Sequence, residues 1–183
     1  MQNFFDDETE RRKWQNPEEI LAEIGLKQGF IFIDVGCNDG FFAIPAARIA
    51  GEKGKVYGID IDRQAIDSLA EKAGKEGLKN LYVTVGEAEE IVLCEGCADI
   101  VFFGIDLHDF RDPARVLMNA KRMLKPGGML VDLDWKKEPM LLGPPLRIRF
   151  SEEKAAKLIE PQGFKVETVK KSGLYHYLII AKI

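Results

Sequence analysis

Cysteine is scarce. Three cysteines in 183 residues are odd in number and too few for a disulfide framework, which predicts free thiols in a reducing, cytoplasmic setting. No apolar run approaches the roughly 20 residues of a membrane span, so no membrane partner is expected. No charged-then-apolar leader opens the chain. An excess of basic residues is also missing: 26 Lys and Arg face 30 Asp and Glu, a net charge of −4. Nucleic acid therefore meets no general attraction. There is no Walker lysine and no G-x-G-x-x-G. Repeats and low-complexity segments are absent. What remains, 46% hydrophobic and 31% charged, suits a single domain over 1–183 with a full core.

The chain is organised around Phe30-Ile31-Phe32-Ile33-Asp34-Val35-Gly36-Cys37-Asn38-Asp39-Gly40. The apolar run suits a strand buried on both faces. It breaks into a glycine-containing turn and re-emerges as Phe41-Phe42-Ala43-Ile44, a helix start. A strand feeding a helix through a glycine turn is where open α/β sheets bind ligands, because the helix N-terminus offers free N–H groups.

Elements follow in order. Met1 to Gln15 is polar apart from Phe4, Phe5 and Trp14. It reads either as a flexible terminus or as a segment folding over a ligand, with Trp14 as anchor. Asn16-Pro17-Glu18-Glu19 starts a helix that Gly25 ends. Pro45 kinks the next helix if it lies beyond the first turn. Lys55 to Asp60 is a second strand; Asp62 can cap the helix that follows, apolar at Ile66, Leu69, Ala70 and Ala73. Leu81 to Val85 and Ala98 to Phe103 are the third and fourth strands. A helix begins at Asp112-Pro113, and Lys125-Pro126-Gly127-Gly128 is a stop and turn. Met129 to Asp134 is the fifth strand, and Met140 to Phe150 a loop. Ser151 caps a last helix before two strands around Ser172-Gly173. Five strands alternating with helices predict a doubly wound parallel α/β sheet. The closing pair must be antiparallel, because so short a turn joins it.

The loop resembles motif I of the class I S-adenosylmethionine-dependent methyltransferases, acidic-x-G-x-G-x-G. Asp34, Gly36 and Gly40 match. Asn38 stands where the middle glycine is commonest, and Asn tolerates left-handed backbone angles. Asp60, 24 residues after Gly36, is placed to accept from ribose hydroxyls. Gly86-Glu87-Ala88 resembles the family's Gly-Asp-Ala turn. Asp99 to Phe103 resembles motif IV, and Leu124-Lys125-Pro126-Gly127-Gly128 the segment before strand five. The resemblance implies a seven-stranded, mostly parallel sheet, order 3-2-1-4-5-7-6, strand 7 antiparallel, helices on both faces. It implies S-adenosylmethionine as cofactor and S-adenosylhomocysteine as product. Asp34, Gly36, Cys37, Asn38 and Gly40 are implied around the methionyl part and Asp60 at the ribose. Ile61, Glu87 and Ala88 fall near the adenine, and Phe103 joins the cofactor contacts, although by default it reads as core.

Methyl transfer is an in-line displacement, so holding the nucleophile aligned is most of the task. An oxygen or nitrogen nucleophile also needs a base. His108, with Asp106 and Asp109, follows strand four at the edge where a base belongs; His108 is the better candidate by pKa. Its other reading is a histidine packed in a loop. Asp134, Trp135 and Lys136 can shape the acceptor pocket. Phe-Gly-Ile-Asp replaces the Asn/Asp-Pro-Pro-aromatic loop of base-amine methylating enzymes, which with the acidic charge balance disfavours a nucleic-acid acceptor and favours a small molecule, with tRNA or a protein side chain as the other readings. No metal cluster is read. Cys94 and Cys97 read as two small thiols; a redox pair, or with Cys37 an arsenite-type site, are the other readings. The short domain leaves the N-terminal segment or a second copy of the chain to complete the pocket. The rival classes are an NAD-dependent oxidoreductase, which needs the missing G-x-G-x-x-G, and a non-catalytic nucleotide-binding module.

Overall fold

A computed structural model describes residues 8–183; Phe4 and Phe5 lie outside the described residues. Strands β1 (Ile31–Val35), β2 (Lys55–Asp60), β3 (Leu81–Val85), β4 (Ala98–Gly104), β5 (Leu124–Trp135), β6 (Lys165–Ser172) and β7 (His176–Lys182) form one sheet. Its order is β3-β2-β1-β4-β5-β7-β6. The β1–β5 pairings are parallel, while β7 runs antiparallel to β5 and β6. Order and handedness of pairing match the expectation from the resemblance.

Alternation within the strands builds a core on each face. Phe32, Ile100 and Phe102 point to one side, against α2 (Pro17–Glu23), α3 (Ala43–Ala50) and α4 (Arg63–Glu76). Ile33, Val101 and Phe103 point to the other, against α5 (Pro113–Met123) and α6 (Glu152–Ile159). Phe32, Ile33, Ile100, Val101, Phe102 and Phe103 are all fully buried, as strands covered on both faces must be.

The local signals act as read. Asn16, Asp62, Asp112 and Ser151 cap their helices by accepting backbone N–H bonds. Pro45 is the third residue of α3. It therefore lies among the N–H groups that lack an intrahelical partner, and removes no bond. The Lys-Pro-Gly-Gly turn differs in one respect. Ala98 pairs with Leu124 and Ile100 with Met129, so Lys125 to Gly128 loops out of a strand that has already begun. Cys94 and Cys97, read as free thiols, are bonded to each other; Cys37 is free and buried.

Glu8–Arg12 is a short helix, α1. Beyond it Trp14 stacks on His176, centroids 5.6 Å apart, and lies 5.7 Å from the Trp135 ring. The described part of the N-terminal segment is thus seated on the ends of β5 and β7. No helix among the described residues is long and apolar enough to cross a membrane.

Gly40 adopts φ +98°, and a Cβ there would lie 2.3 Å from Leu69 Cδ1 on α4. Gly40→Ala is expected to cost about 1–3 kcal/mol from strain and overpacking together. A lower urea midpoint at unchanged slope would show it; an unchanged midpoint would mean the loop relaxes freely.

Candidate active site

The carboxyl ends of β1, β2, β4 and β5 open into two cavities. One, of about 670 Å³, is lined by residues including Arg11, Asp34, Phe41, Asp106, His108 and Trp135. The other, of about 290 Å³, is lined by residues including Asp60, Ile61, Ala88 and Phe110. They meet at Gly36, Asp106 and Asp109, which line both.

The smaller cavity holds the residues assigned to a nucleoside. Asp60 Oδ2 accepts from the Asn38 amide at 2.8 Å and Oδ1 from the Asp62 amide at 2.9 Å. One carboxylate thereby ties the end of β2 to the glycine loop. Asn38 has φ +45°, the left-handed angle its side chain type tolerates. Ile61 is 68% exposed, so an apolar face remains available for a flat ring. Glu87 is ion-paired with Arg111 at the cavity's rim. Asn119 Nδ2 donates to the Ala88 and Glu89 carbonyls at 2.9 Å each, fixing this loop.

The larger cavity is acidic. Asp34 is buried; Ala43 N–H is one hydrogen-bond donor to it, and its Oδ2 has no hydrogen-bond partner among the described residues. Burial first, and the charge of Asp60 second, push it up to about 7. Asp106 Oδ2 is also buried without a hydrogen-bond partner among the described residues, and burial beside Asp34 and Asp134 holds this carboxyl well above the usual range. Gly36, at φ +79°, makes room for it: a Cβ there would fall 2.5 Å from the Asp106 carboxyl. Cys37 packs against Gly58, whose added Cβ would sit 2.8 Å from the sulfur. Burial pushes that thiol far up, so it is not a nucleophile. Arg11 reaches this cavity from α1, its guanidinium 3.8 Å from the Phe41 ring centroid. Among the described residues, Lys72 is the other basic group of the lining, bound to Asp39 at 2.5 Å.

His108 is buried, and its Nδ1 lies 2.8 Å from Asp134 Oδ1 and 2.9 Å from Oδ2. Nε2 has no hydrogen-bond partner among the described residues; Asp109 Oδ1 is 3.4 Å away. Burial pulls the imidazole down, but the hydrogen bond and charge of Asp134 outweigh it and the net shift is upward. Asp132, two residues before Asp134 on β5, is buried too and held well above the carboxylate range by burial and by Asp134. Asp134, expected to shape the acceptor pocket, is instead the partner that orients His108. Trp135 lines the cavity as expected. Lys136 turns away: its Nζ donates to the Gly173 and Leu174 carbonyls at 3.1 and 2.8 Å. Phe103, expected among the cofactor contacts, packs as a core residue. It is fully buried against Phe110 and belongs to neither cavity lining, because its neighbour Gly104 is the β4 residue that turns toward the cleft.

Three residues here carry no local sequence signal. Ile105 lines the cavity at φ +79°, a strained angle for a β-branched residue, held by its N–H to the Leu133 carbonyl at 2.7 Å. Arg149 is buried and donates to the carbonyls of Lys136, Glu138, Leu142 and Pro144. It folds the 136–144 segment so that Gly143 meets the Trp135 ring and Pro144 the cavity. Arg11 is the third; only its long-range placement reveals it. The three cysteines are not brought together. Cys37 sits past the carboxyl end of β1, while Cys97 precedes the amino end of the adjacent β4. No cluster of three metal-binding side chains occurs among the described residues.

The methyltransferase-domain family matches residues 26–172. A demethylmenaquinone methyltransferase of Geobacillus kaustophilus is 30% identical over 131 residues, 72% of this chain and 55% of that protein. The chain spans about half the length of the curated relatives it matches. The crystal structure of a SAM-dependent methyltransferase from Aquifex aeolicus superposes with a TM-score of 0.89 at 36% identity, covering 93% of this chain and 91% of that one. An arsenic(III) S-adenosylmethionine methyltransferase from Chlamydomonas reinhardtii shares the fold alone: TM-score 0.66 and 23% identity, over 85% of this chain and 63% of that one.

The two histidines should separate in an NMR titration. His176 is pulled down to about 3 by burial, then by Arg11, Lys136 and Arg149, so one signal titrates far below neutrality and the other, His108, above about 6.5. Asp134→Asn should bring the upper signal below that value. A raised histidine pKa stabilises fully below the unfolded value and fades as pH rises through the folded one. The substitution should therefore destabilise most in mildly acidic solution. A His108 signal that ignores it would break the pairing.

Proposed function

The chain belongs to the class I S-adenosylmethionine-dependent methyltransferases, and from that premise we propose that it methylates a small-molecule acceptor. The observation that carries this is the junction of the two cavities at Gly36 and Asp106. A nucleoside-sized site opens there directly onto a larger cleft that contains a buried His–Asp pair.

The residues fit the cofactor by chemistry. Asp34 Oδ2 and Asp106 Oδ2 are buried oxygens with no hydrogen-bond partner among the described residues, suited to the positive groups of the methionyl end. Asp60 supplies acceptor capacity for ribose hydroxyls, and Ile61 with Ala88 an apolar wall for the adenine. Glu87, engaged by Arg111, is the rim acceptor for the adenine amino group. When bound, the cofactor supplies an activated sulfonium methyl. The protein's own work is then to hold and deprotonate the acceptor. His108, which lines the cleft, is the base through Nε2, and Asp134 on Nδ1 holds the tautomer and stabilises the imidazolium. Asp109 stands 3.4 Å from Nε2 and guides the acceptor to it. Asp106, first read with the base, belongs to the cation site. Phe41, Phe42, Trp135 and Pro144 line the same cleft and suit a flat ring acceptor. The Geobacillus relative is named for demethylmenaquinone, which agrees with a ring acceptor.

Calorimetric titration tests the premise. S-adenosylmethionine and S-adenosylhomocysteine should bind and NAD should not; binding of NAD alone would refute it. Asp34 ionises near about 7 in the free protein, and a cation beside it favours the ionised form. Affinity for S-adenosylmethionine should therefore rise with pH up to about 7 and level above. A flat profile would remove Asp34 from the cation site. On an acceptor that turns over, His108→Ala should lower kcat by roughly 10²–10⁴-fold with cofactor binding near normal; unchanged turnover would remove His108 from the mechanism.

A further inference from the structure

The methionyl end of S-adenosylmethionine is not simply a cation. It carries a sulfonium and an α-ammonium, and beside them a carboxylate. The larger cavity shows the two acids that suit the positive groups, Asp34 and Asp106. A carboxylate brought next to them unaided would meet like charge in a poorly solvated site. A cation in the same cavity would offset that repulsion.

We propose that Arg11 binds the carboxylate of the methionyl group, which makes α1 part of the cofactor site; this rests on the cofactor reading above. Arg11 lines the same cavity as Asp34, Gly36 and Asp106. Its guanidinium lies over the Phe41 ring at 3.8 Å and within 5.7 Å of the Phe42 centroid, at the start of α3. Asp106, Asp34, Asp39 and Glu8 all act on its charge. A zwitterion suits this array: its ammonium takes the share of Asp34 and Asp106 that the guanidinium now holds, and its carboxylate faces the guanidinium. The planar fork of arginine matches a carboxylate in two parallel bonds, whereas a lysine offers only a point charge. Lys72, the other lysine or arginine of the described lining, is held on Asp39, and His108 is held on Asp134.

The placement of Arg11 is built. Its Nε donates to Gln15 Oε1 at 2.7 Å, and Gln15 is buried. Trp14, between them in sequence, stacks on His176 and lies against Trp135. Arg12, next to Arg11, pairs with Glu18 of α2 at 2.8 Å. The segment is thus fastened on both sides of the guanidinium.

Decarboxylated S-adenosylmethionine keeps the sulfonium, the amine, the ribose and the adenine, and lacks only the group assigned to Arg11. The unaltered chain should bind S-adenosylmethionine roughly 10- to 100-fold more tightly than this analogue, the usual worth of a charged hydrogen-bonded pair. Arg11→Ala should weaken S-adenosylmethionine by that factor and leave the analogue within about twofold, abolishing the preference. Arg11→Lys should keep part of it. Equal weakening toward both compounds would show that Arg11 merely holds the segment in place, and would overturn the assignment. Retention of the preference in Arg11→Ala would overturn it as well. Failure of the unaltered chain to bind S-adenosylmethionine at all would instead fell the cofactor reading, and this proposal with it.

Discussion

Carboxyl groups crowd a poorly hydrated edge of the sheet, and the rest of the site answers to that constraint. Parallel pairing of β1 with β4 and of β4 with β5 sets Asp34, Asp106, Asp132 and Asp134 at or near the ends of neighbouring strands. Like charges so placed cannot all ionise in a low dielectric. The molecule relieves them in three ways. Asp34, Asp106 and Asp132 hold their protons to unusually high pH. Asp134 takes an imidazole as its partner. Arg11 is carried into the cavity from outside the sheet by the N-terminal helix. The two positive groups proposed for the ligand's methionyl end, whose carboxylate goes to Arg11, would be a fourth solution.

Rigidity lets this arrangement stand. Both faces of the sheet are packed by alternating residues of the same strands, and close-packed interiors do not yield gradually. Strain is stored where the sheet meets the cleft: Ile105 is held at φ +79° directly after β4. An angle that a branched side chain resists survives only where its neighbours over-determine it. Here the N–H bond to Leu133 and the adjoining Asp106 supply that constraint, and the turn carries His108 onto Asp134.

Much of this was legible in the amino-acid order, for identifiable reasons. Apolar runs and glycine turns are local signals, so the seven strands, their caps and the loop at Gly36 could be placed from sequence. Asn38 is legible because few residue types accept its backbone angle. The strand order was not; it came from resemblance, since spacing says nothing about which strands become neighbours. Individual site residues divide along the same line. His108 could be singled out by its chemistry, but its bond to Asp134 joins residues 26 apart across two strands. Alternation decides which face a strand residue takes, and the parity of Phe103 points its side chain into the α5 core. Arg11 and Arg149 carry no such signal, because an arginine on the open surface and one packed into a cleft look alike in sequence. Their placement depends on residues distant in the chain.

The segment that walls the acceptor side is fastened by Arg149 through the carbonyls of Lys136, Glu138, Leu142 and Pro144. Carbonyl oxygens belong to every residue, whatever its side chain. A clasp that grips only the main chain is indifferent to the alphabet written on it. The wall can therefore change its chemistry residue by residue, apart from Gly143 against Trp135, without surrendering its shape. In such a scaffold the lining of this side of the cleft is free to drift while the side built on Asp60 and the glycine loop stays as it is.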